Sequence, residues 1–161
     1  MNEIFSKPDG AMLVGIFVGV ILILIPFIFF LLTLQKTLQV ISPENRKMPF
    51  VNVWLLCIPV FNFYWQFVVV NKIAQSIAVE CNRLGIPVKE TKPTYHLGLS
   101  WNICYLLFLI PLIKLWAGIV LTITWIIYWI KVNQYRKLII KNQNTFMLDA
   151  ERNIFYGDKV V

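Results

Sequence analysis

Charge is scarce in this 161-residue chain. Eight Asp or Glu, fifteen Lys or Arg and one His leave only 14% of it charged, against roughly 25% in a soluble domain. With 58% of residues hydrophobic and a mean hydropathy of +0.69, that shortage excludes a water-soluble globular enzyme. Disorder is excluded by an abundance, since twelve Phe, six Trp and six Tyr are far too many for a chain that buries nothing. The composition reads as an integral membrane protein.

Cysteine is nearly as sparse. Cys57, Cys81 and Cys104 are an odd number without a Cys-x-x-Cys, and two lie in apolar runs, so neither a disulfide framework nor a zinc site is expected. The single histidine, His96, stands beside Tyr95 with no Cys, Ser or second ligand at motif spacing, which reads as an interfacial residue. Gly-rich phosphate loops, His-Glu-x-x-His and Gly-x-Ser-x-Gly are absent, and the carboxylates are scattered over the polar segments. The expectation is a non-enzyme without cofactor or metal. A net charge of +7 reads as contact with anionic lipid rather than nucleic acid, because no Lys/Arg block is interleaved with aromatics outside the apolar runs.

Four apolar blocks organise the chain. Ala11 to Leu34 holds 18 Leu, Ile, Val or Phe and no charge, enough at ~1.5 Å per residue to cross a ~30 Å hydrocarbon core. It is longer than a secretory h-region and lacks an A-x-A site, so it reads as a retained helix. Ala11, Gly15 and Gly19 fall on one face of it as a small-xxx-small strip, open to packing within the chain or against another subunit, and Pro26 is expected to kink it. Ser42, Pro43 and Glu44 read as the start of a short surface helix that Pro49 ends. The second span is placed at 53–70, with Pro59 near its middle and Asn62 and Gln66 one turn apart. Ile73, Ile77, Cys81 and Leu84 continue an apolar stripe, with Lys72, Gln75, Glu80 and Arg83 off it, until Gly85 caps the helix and Pro87 blocks it. One long helix is therefore expected to leave the membrane and run on for three to four turns.

Residues 86–96 read as a loop. The apolar block 97–130 is too long for one span and is broken by Pro111 and Lys114, which predicts two short spans, 97–112 and 115–130, in a tight hairpin. Trp125, Tyr128 and Trp129, then Lys131, Arg136 and Lys137, form an aromatic belt and basic collar at the exit of the last helix. That helix is expected to end near Lys141, leaving 142–161 as a cytoplasmic tail on a single four-helix transmembrane domain, 1–141. Four spans put eleven Lys and Arg on the side of both termini and four on the other, which places both termini in the cytoplasm. The competing reading makes the second segment re-entrant, with three spans and termini on opposite sides.

No Asp, Glu, Lys, Arg or His lies within the four spans, which argues against a pump or ion-coupled transporter. Asn62, Gln66 and Asn102 are the notable intramembrane polar groups, and they read as contacts that knit helices or line a path.

Residues Ser42-Pro-Glu-Asn-Arg-Lys-Met-Pro, the run from Val53 to Phe67 with its Trp-x-x-x-Ile-Pro-x-Phe-Asn-x-x-Trp pattern, and Trp125-Ile-Ile-Tyr-Trp-Ile-Lys resemble small four-helix membrane proteins of Bacteroidetes-type bacteria. The resemblance covers roughly residues 40–137. It implies the fold and a bacterial inner membrane, but no activity, ligand or catalytic residue. Two functional expectations follow. The first is a non-catalytic accessory or scaffold subunit of an inner-membrane complex, or a homo-oligomer, held by helix packing and a basic cytoplasmic face. The alternative is a small channel or transporter for a neutral or apolar solute.

Overall fold

The computed structural model describes residues 10–157, with side chains described for all of these except Ala11 and 153–157. Within them the protein is helical throughout: α1 (Gly10–Val40), α2 (Pro59–Arg83), α3 (Tyr95–Leu107) and α4 (Lys114–Gly157), with a 3₁₀ turn at Pro43–Asn45 and a 3₁₀ segment at Phe50–Cys57. Two of these helices are long and apolar enough to cross a membrane, α1 over Met12–Val40 and α4 over Lys114–Arg152. The chain divides into two units, one ending at Leu32 and one beginning at Thr33.

The first unit is the apolar length of α1, with Pro26 inside the helix. Met12, Phe17, Leu22 and Ile23 are more than half exposed on all sides of it, as expected of a helix without a polar face. At Gly15 and Gly19 a methyl group would meet nothing within 4 Å. The strip is open, although the side chain of Ala11, its first member, lies outside the described residues.

In the second unit the buried positions of α2 follow helical spacing: Val69, Ile73, Ile77 and Cys81 are all 1% exposed or less. The end of α2 is a Schellman cap, in which Ile86 N–H donates to Cys81 O at 2.9 Å and Gly85 N–H to Asn82 O at 3.2 Å. Gly85 sits at φ +65°, a conformation that only glycine adopts without strain. Ile73, Ile77, Cys81 and the Gly85 stop are as the sequence indicates, whereas Leu84, the last of the expected stripe, is only half-buried.

The second segment differs from the expected span. No helix runs through 53–70, because Pro59 does not interrupt α2 but begins it. Proline lacks a donor and has its φ preset for a first helical turn, so it is better placed at a start than in a middle. The preceding stretch winds as 3₁₀ from Phe50, after an N-cap at Pro49, to Cys57, and packs back along α2. Three contacts establish the direction: Asn45 Nδ2 donates to Glu80 at 2.7 Å, Lys47 N–H to Ser76 Oγ at 2.9 Å, and Trp65 Nε1 to Asn52 O at 2.8 Å. As the residue number rises along one segment it falls along the other. Residues 42–83 are a hairpin whose two ends meet and whose tip is Ile58 and Pro59.

α3 and α4 form the expected hairpin, turning through 108–113. α3 has 13 residues, about 20 Å of helix, and so is shorter than the predicted span. α4 has 44 residues, and it continues through 142–157, where a tail was expected. Asn142, Gln143, Asn144 and Thr145 are not helix breakers, and neither Gly nor Pro intervenes before Gly157. Leu34, Leu38, Val53, Leu56, Tyr128, Val132 and Ile139 complete the core of this unit at 2% exposure or less.

Candidate functional site

The most developed polar site lies where the ends of α1, α2 and the 42–48 turn meet the middle of α4. Glu80 is its centre. The sequence stripe set it on the solvent face, yet it is fully buried. Its carboxylate accepts from Arg83 Nη2 at 2.6 Å, Asn45 Nδ2 at 2.7 Å, Gln143 Nε2 at 2.8 Å and Ser42 Oγ at 3.2 Å. Every neighbour is a donor, which is the arrangement an ionised carboxylate needs. Burial by itself would raise the Glu80 pKa. The hydrogen bonds from Arg83, Asn45 and Gln143 outweigh it and hold the group down at about 2.

The same site finishes α1. The last carbonyls of a helix have no partner within it, and here Gln143 Nε2 donates to Val40 O at 3.0 Å while Arg46 Nη2 donates to Ile41 O at 3.1 Å and Gln39 O at 3.4 Å. Gln143 thus joins α4 to both Val40 and Glu80. Ser42 was expected as a helix cap and does precede the 3₁₀ turn, but its hydroxyl is given to Glu80. Farther along α1, Trp54 Nε1 donates to Gln35 Oε1 at 2.7 Å, and Trp129 Nε1 to Thr33 Oγ1 at 2.9 Å. The chemistry of the site is cohesion: it holds an anion with one guanidinium, two amides and a hydroxyl.

Cys81, next to Glu80, is fully buried, and burial, with the adjacent Glu80 charge, pushes its thiol up to about 11. A buried thiol of that kind is inert. Exposure to N-ethylmaleimide of the folded protein in mild detergent is expected to modify Cys57, which is exposed, and to leave Cys81 untouched until detergent denaturation. Modification of Cys81 in the folded state, read by peptide mass, would contradict this.

A second polar feature lies between α2 and α3. Phe63 and Tyr105 are in ring contact at 5.4 Å, and Gly98 faces Val70. The helices run antiparallel between those contacts, so Gln66 and Asn102 stand level with each other, three residues inside the first contact and four inside the second. Both are buried, at 1% and 0% exposure. Gln66 Nε2 and both polar atoms of the Asn102 amide have no partner. Asn62, one turn nearer the hairpin tip, is only half-buried. Of the three amides singled out by the sequence, the fold brings Gln66 and Asn102 together.

The aromatic and basic collar divides. Tyr128 is fully buried and stacks on Trp101 at 5.9 Å, while Trp125 and Trp129, half-buried, are in contact at 5.5 Å. Lys131 and Lys137 are exposed, and Arg136 is half-buried. His96 is exposed with its ring edge on Tyr95 at 5.7 Å. Lys114, the cation inside the apolar block, sits over the Phe108 ring at 5.2 Å at the tip of the α3/α4 hairpin. Around that tip Leu109, Leu112, Leu115 and Trp116 are between 58% and 93% exposed, far more apolar surface than a water-facing turn carries.

Comparison with known proteins returns no matching family model, curated protein or solved structure. The resemblance of residues 40–137 to bacterial four-helix membrane proteins therefore rests on the residues that carry it.

Proposed function

We propose that this protein is a non-catalytic scaffold or accessory subunit of a bacterial inner-membrane complex, and that α4 is its partner-binding arm. The observation that carries the reading is Phe146, Met147 and Leu148, exposed by 51%, 65% and 61% on a helix already fixed to the bundle through Gln143. Arg83 lies over the Phe146 ring at 5.8 Å, so the arm leaves the Glu80 site in a defined direction. A preorganised helix with an apolar patch loses little entropy on docking.

The membrane topology that best accommodates the contacts replaces four spans with the re-entrant alternative. Ser42, Asn45 and Glu80 are hydrogen-bonded to one another's segment, so the 42–48 turn and the end of α2 share a side. Gln143 puts the 131–157 length of α4 there too. Thirteen of the fifteen Lys and Arg then fall on that side, leaving only Lys7 and Lys114. This asymmetry is steeper than the eleven to four of the four-span map and favours a cytoplasmic C-terminus with the N-terminus opposite. Both termini in the cytoplasm is the expectation it displaces.

The experiment is affinity purification of the tagged protein from native membranes, wild type against Met147→Asp. A stoichiometric partner that the variant loses at least tenfold is expected. Recovery of the wild type as a lone monomer would contradict the scaffold reading and shift weight to solute passage along Asn62, Gln66 and Asn102, which the unpartnered Asn102 amide favours.

A further inference from the structure

A hollow of about 280 Å³ opens between α2 and α3, and Asn102 lines its wall with Tyr64, Phe67, Leu99, Asn71 and Tyr95. Asn102 is fully buried and both its amide atoms lack partners. Such a group destabilises the fold unless something satisfies it. Gln66 stands level with it, also with an unpartnered donor. A bond from Gln66 Nε2 to Asn102 Oδ1 would satisfy both of those atoms, and Asn102 Nδ2 would still have donors to give. What completes Asn102 is therefore an acceptor.

At the polar end of the hollow Asn71 and Tyr95 lie beside a cation. Lys92 is exposed, with its Nζ 5.3 Å over the Tyr95 ring and 3.4 Å from Asn71 Oδ1, to which it donates. Among the described residues the ion pairs are Arg83 with Glu80 and Arg152 with Asp149, so Lys92 has no carboxylate to neutralise it. Away from that end Tyr64, which lines the hollow, and Val60, one turn farther along α2, are exposed by 68% and 83%. A cation at one end, buried amide donors within and an open apolar run beyond describe one chemistry: a phosphate, an ester carbonyl and an acyl chain, in that order.

We propose that the α2–α3 cleft holds one anionic phospholipid of the surrounding bilayer, its phosphate at Lys92, a glycerol ester carbonyl on Asn102 Nδ2 and an acyl chain along Tyr64 and Val60. The proposal rests on the membrane reading above but not on the scaffold role. A neutral solute brings no charge to meet Lys92. A bound lipid would also tie α3 to α2 at the place where their amides are otherwise unsatisfied.

The test is native mass spectrometry of the full chain purified in mild detergent, with thermal stability measured on adding phosphatidylglycerol, phosphatidylcholine or diacylglycerol. Expected are one retained phospholipid in the wild type, stabilisation by phosphatidylglycerol above phosphatidylcholine, and none by diacylglycerol. Lys92→Gln should weaken phosphatidylglycerol binding about fivefold, the effect of one basic side chain near an anionic headgroup, and Asn102→Leu should abolish retention. If Asn102→Leu does not fold, Lys92→Gln, an exposed position, carries the test alone. A lipid-free wild type indifferent to phosphatidylglycerol, a neutral solute in place of lipid, or unchanged binding in Lys92→Gln would each overturn the site. Membrane fractionation separates the two readings: a protein recovered from membranes without lipid refutes this cleft only, whereas a protein absent from membranes refutes the embedding.

Discussion

Replacing Glu80 with alanine is expected to lower the stability of the protein by about 3 kcal/mol. Breaking a buried ion pair from one side costs roughly 3–5 kcal/mol, because the remaining partners are left with nothing to bind. The lower end applies here, since the Arg83 side chain is 34% exposed and recovers part of its hydration. Asn45 and Gln143, by contrast, lose an acceptor inside the fold. Glu80→Gln should fall between wild type and alanine: its amide keeps the shape, and Asn45 or Gln143 can turn its own oxygen to meet the new donor. The pH dependence has the same origin. The Glu80 carboxyl is held at about 2 against an ordinary 4.5, so the stabilisation is complete above the ordinary value and disappears as pH falls from there through 2, amounting to about 3 kcal/mol. Unfolding in detergent followed by near-ultraviolet circular dichroism between pH 7 and 2.5 measures both effects. An alanine variant within 0.5 kcal/mol of wild type, or one that keeps the wild-type acid dependence, would show that Glu80 is not the keystone of the site.

Enlarging Gly98 is expected to be comparably damaging through packing alone. A methyl group there would stand 2.8 Å from Val70 Cγ2 and 2.9 Å from Tyr128 Cε2, with Val70 Cγ1 closer still. No flexible chain end is available to yield, since Val70 and Tyr128 are both buried. Gly98→Ala should therefore cost about 1–3 kcal/mol by overpacking, despite the gain in helix propensity of roughly 1 kcal/mol that alanine brings. Gly98→Leu should force α3 off α2 and α4 and break the stacking of Trp101 on Tyr128. Tryptophan fluorescence and the melting temperature read that separation. A Gly98→Leu protein with unchanged emission and melting would mean that α3 is not seated as described.

Much of the α-helical plan was legible because it is local. The stripe Ile73, Ile77, Cys81 and the Gly85 stop can be read within one helix, and Pro111 with Lys114 marks the turn between α3 and α4. The second segment was misread where a local rule had two outcomes. A proline in an apolar run either kinks a helix or starts one, and only the contacts of Asn52 with Trp65 and Lys47 with Ser76 distinguish a span from a returning hairpin. Glu80 was missed for a related reason. Its helical position borders the buried stripe, and what permits burial, Asn45 and Gln143, lies 35 and 63 residues away. One signal was available: Arg83 one turn on, an acid and base spaced to pair, beside a cysteine on the apolar stripe. The polar residues after Lys141 suggest a stop for α4, but neither Gly nor Pro interrupts the sequence from Lys141 to Tyr156, and the helix runs on. Gln66 and Asn102 were identifiable as polar groups in apolar runs, but their common level follows from the register of α2 on α3, which no single-segment pattern contains.

The central claim is that residues 42–83 enter and leave on one side, and substituted-cysteine labelling in intact cells tests it directly. In a background without native cysteines, single cysteines replace Asn2, Lys47, Lys89 and Lys141 in turn, and a membrane-impermeant maleimide is applied before and after the cells are opened. Lys47, Lys89 and Lys141 are exposed, so each substitution leaves the packing intact. The hairpin requires positions 47, 89 and 141 to react only once the cytoplasm is accessible, and position 2 to react from outside. Labelling of position 47 from outside, with 89 still protected, would put the second segment across the membrane and contradict the account.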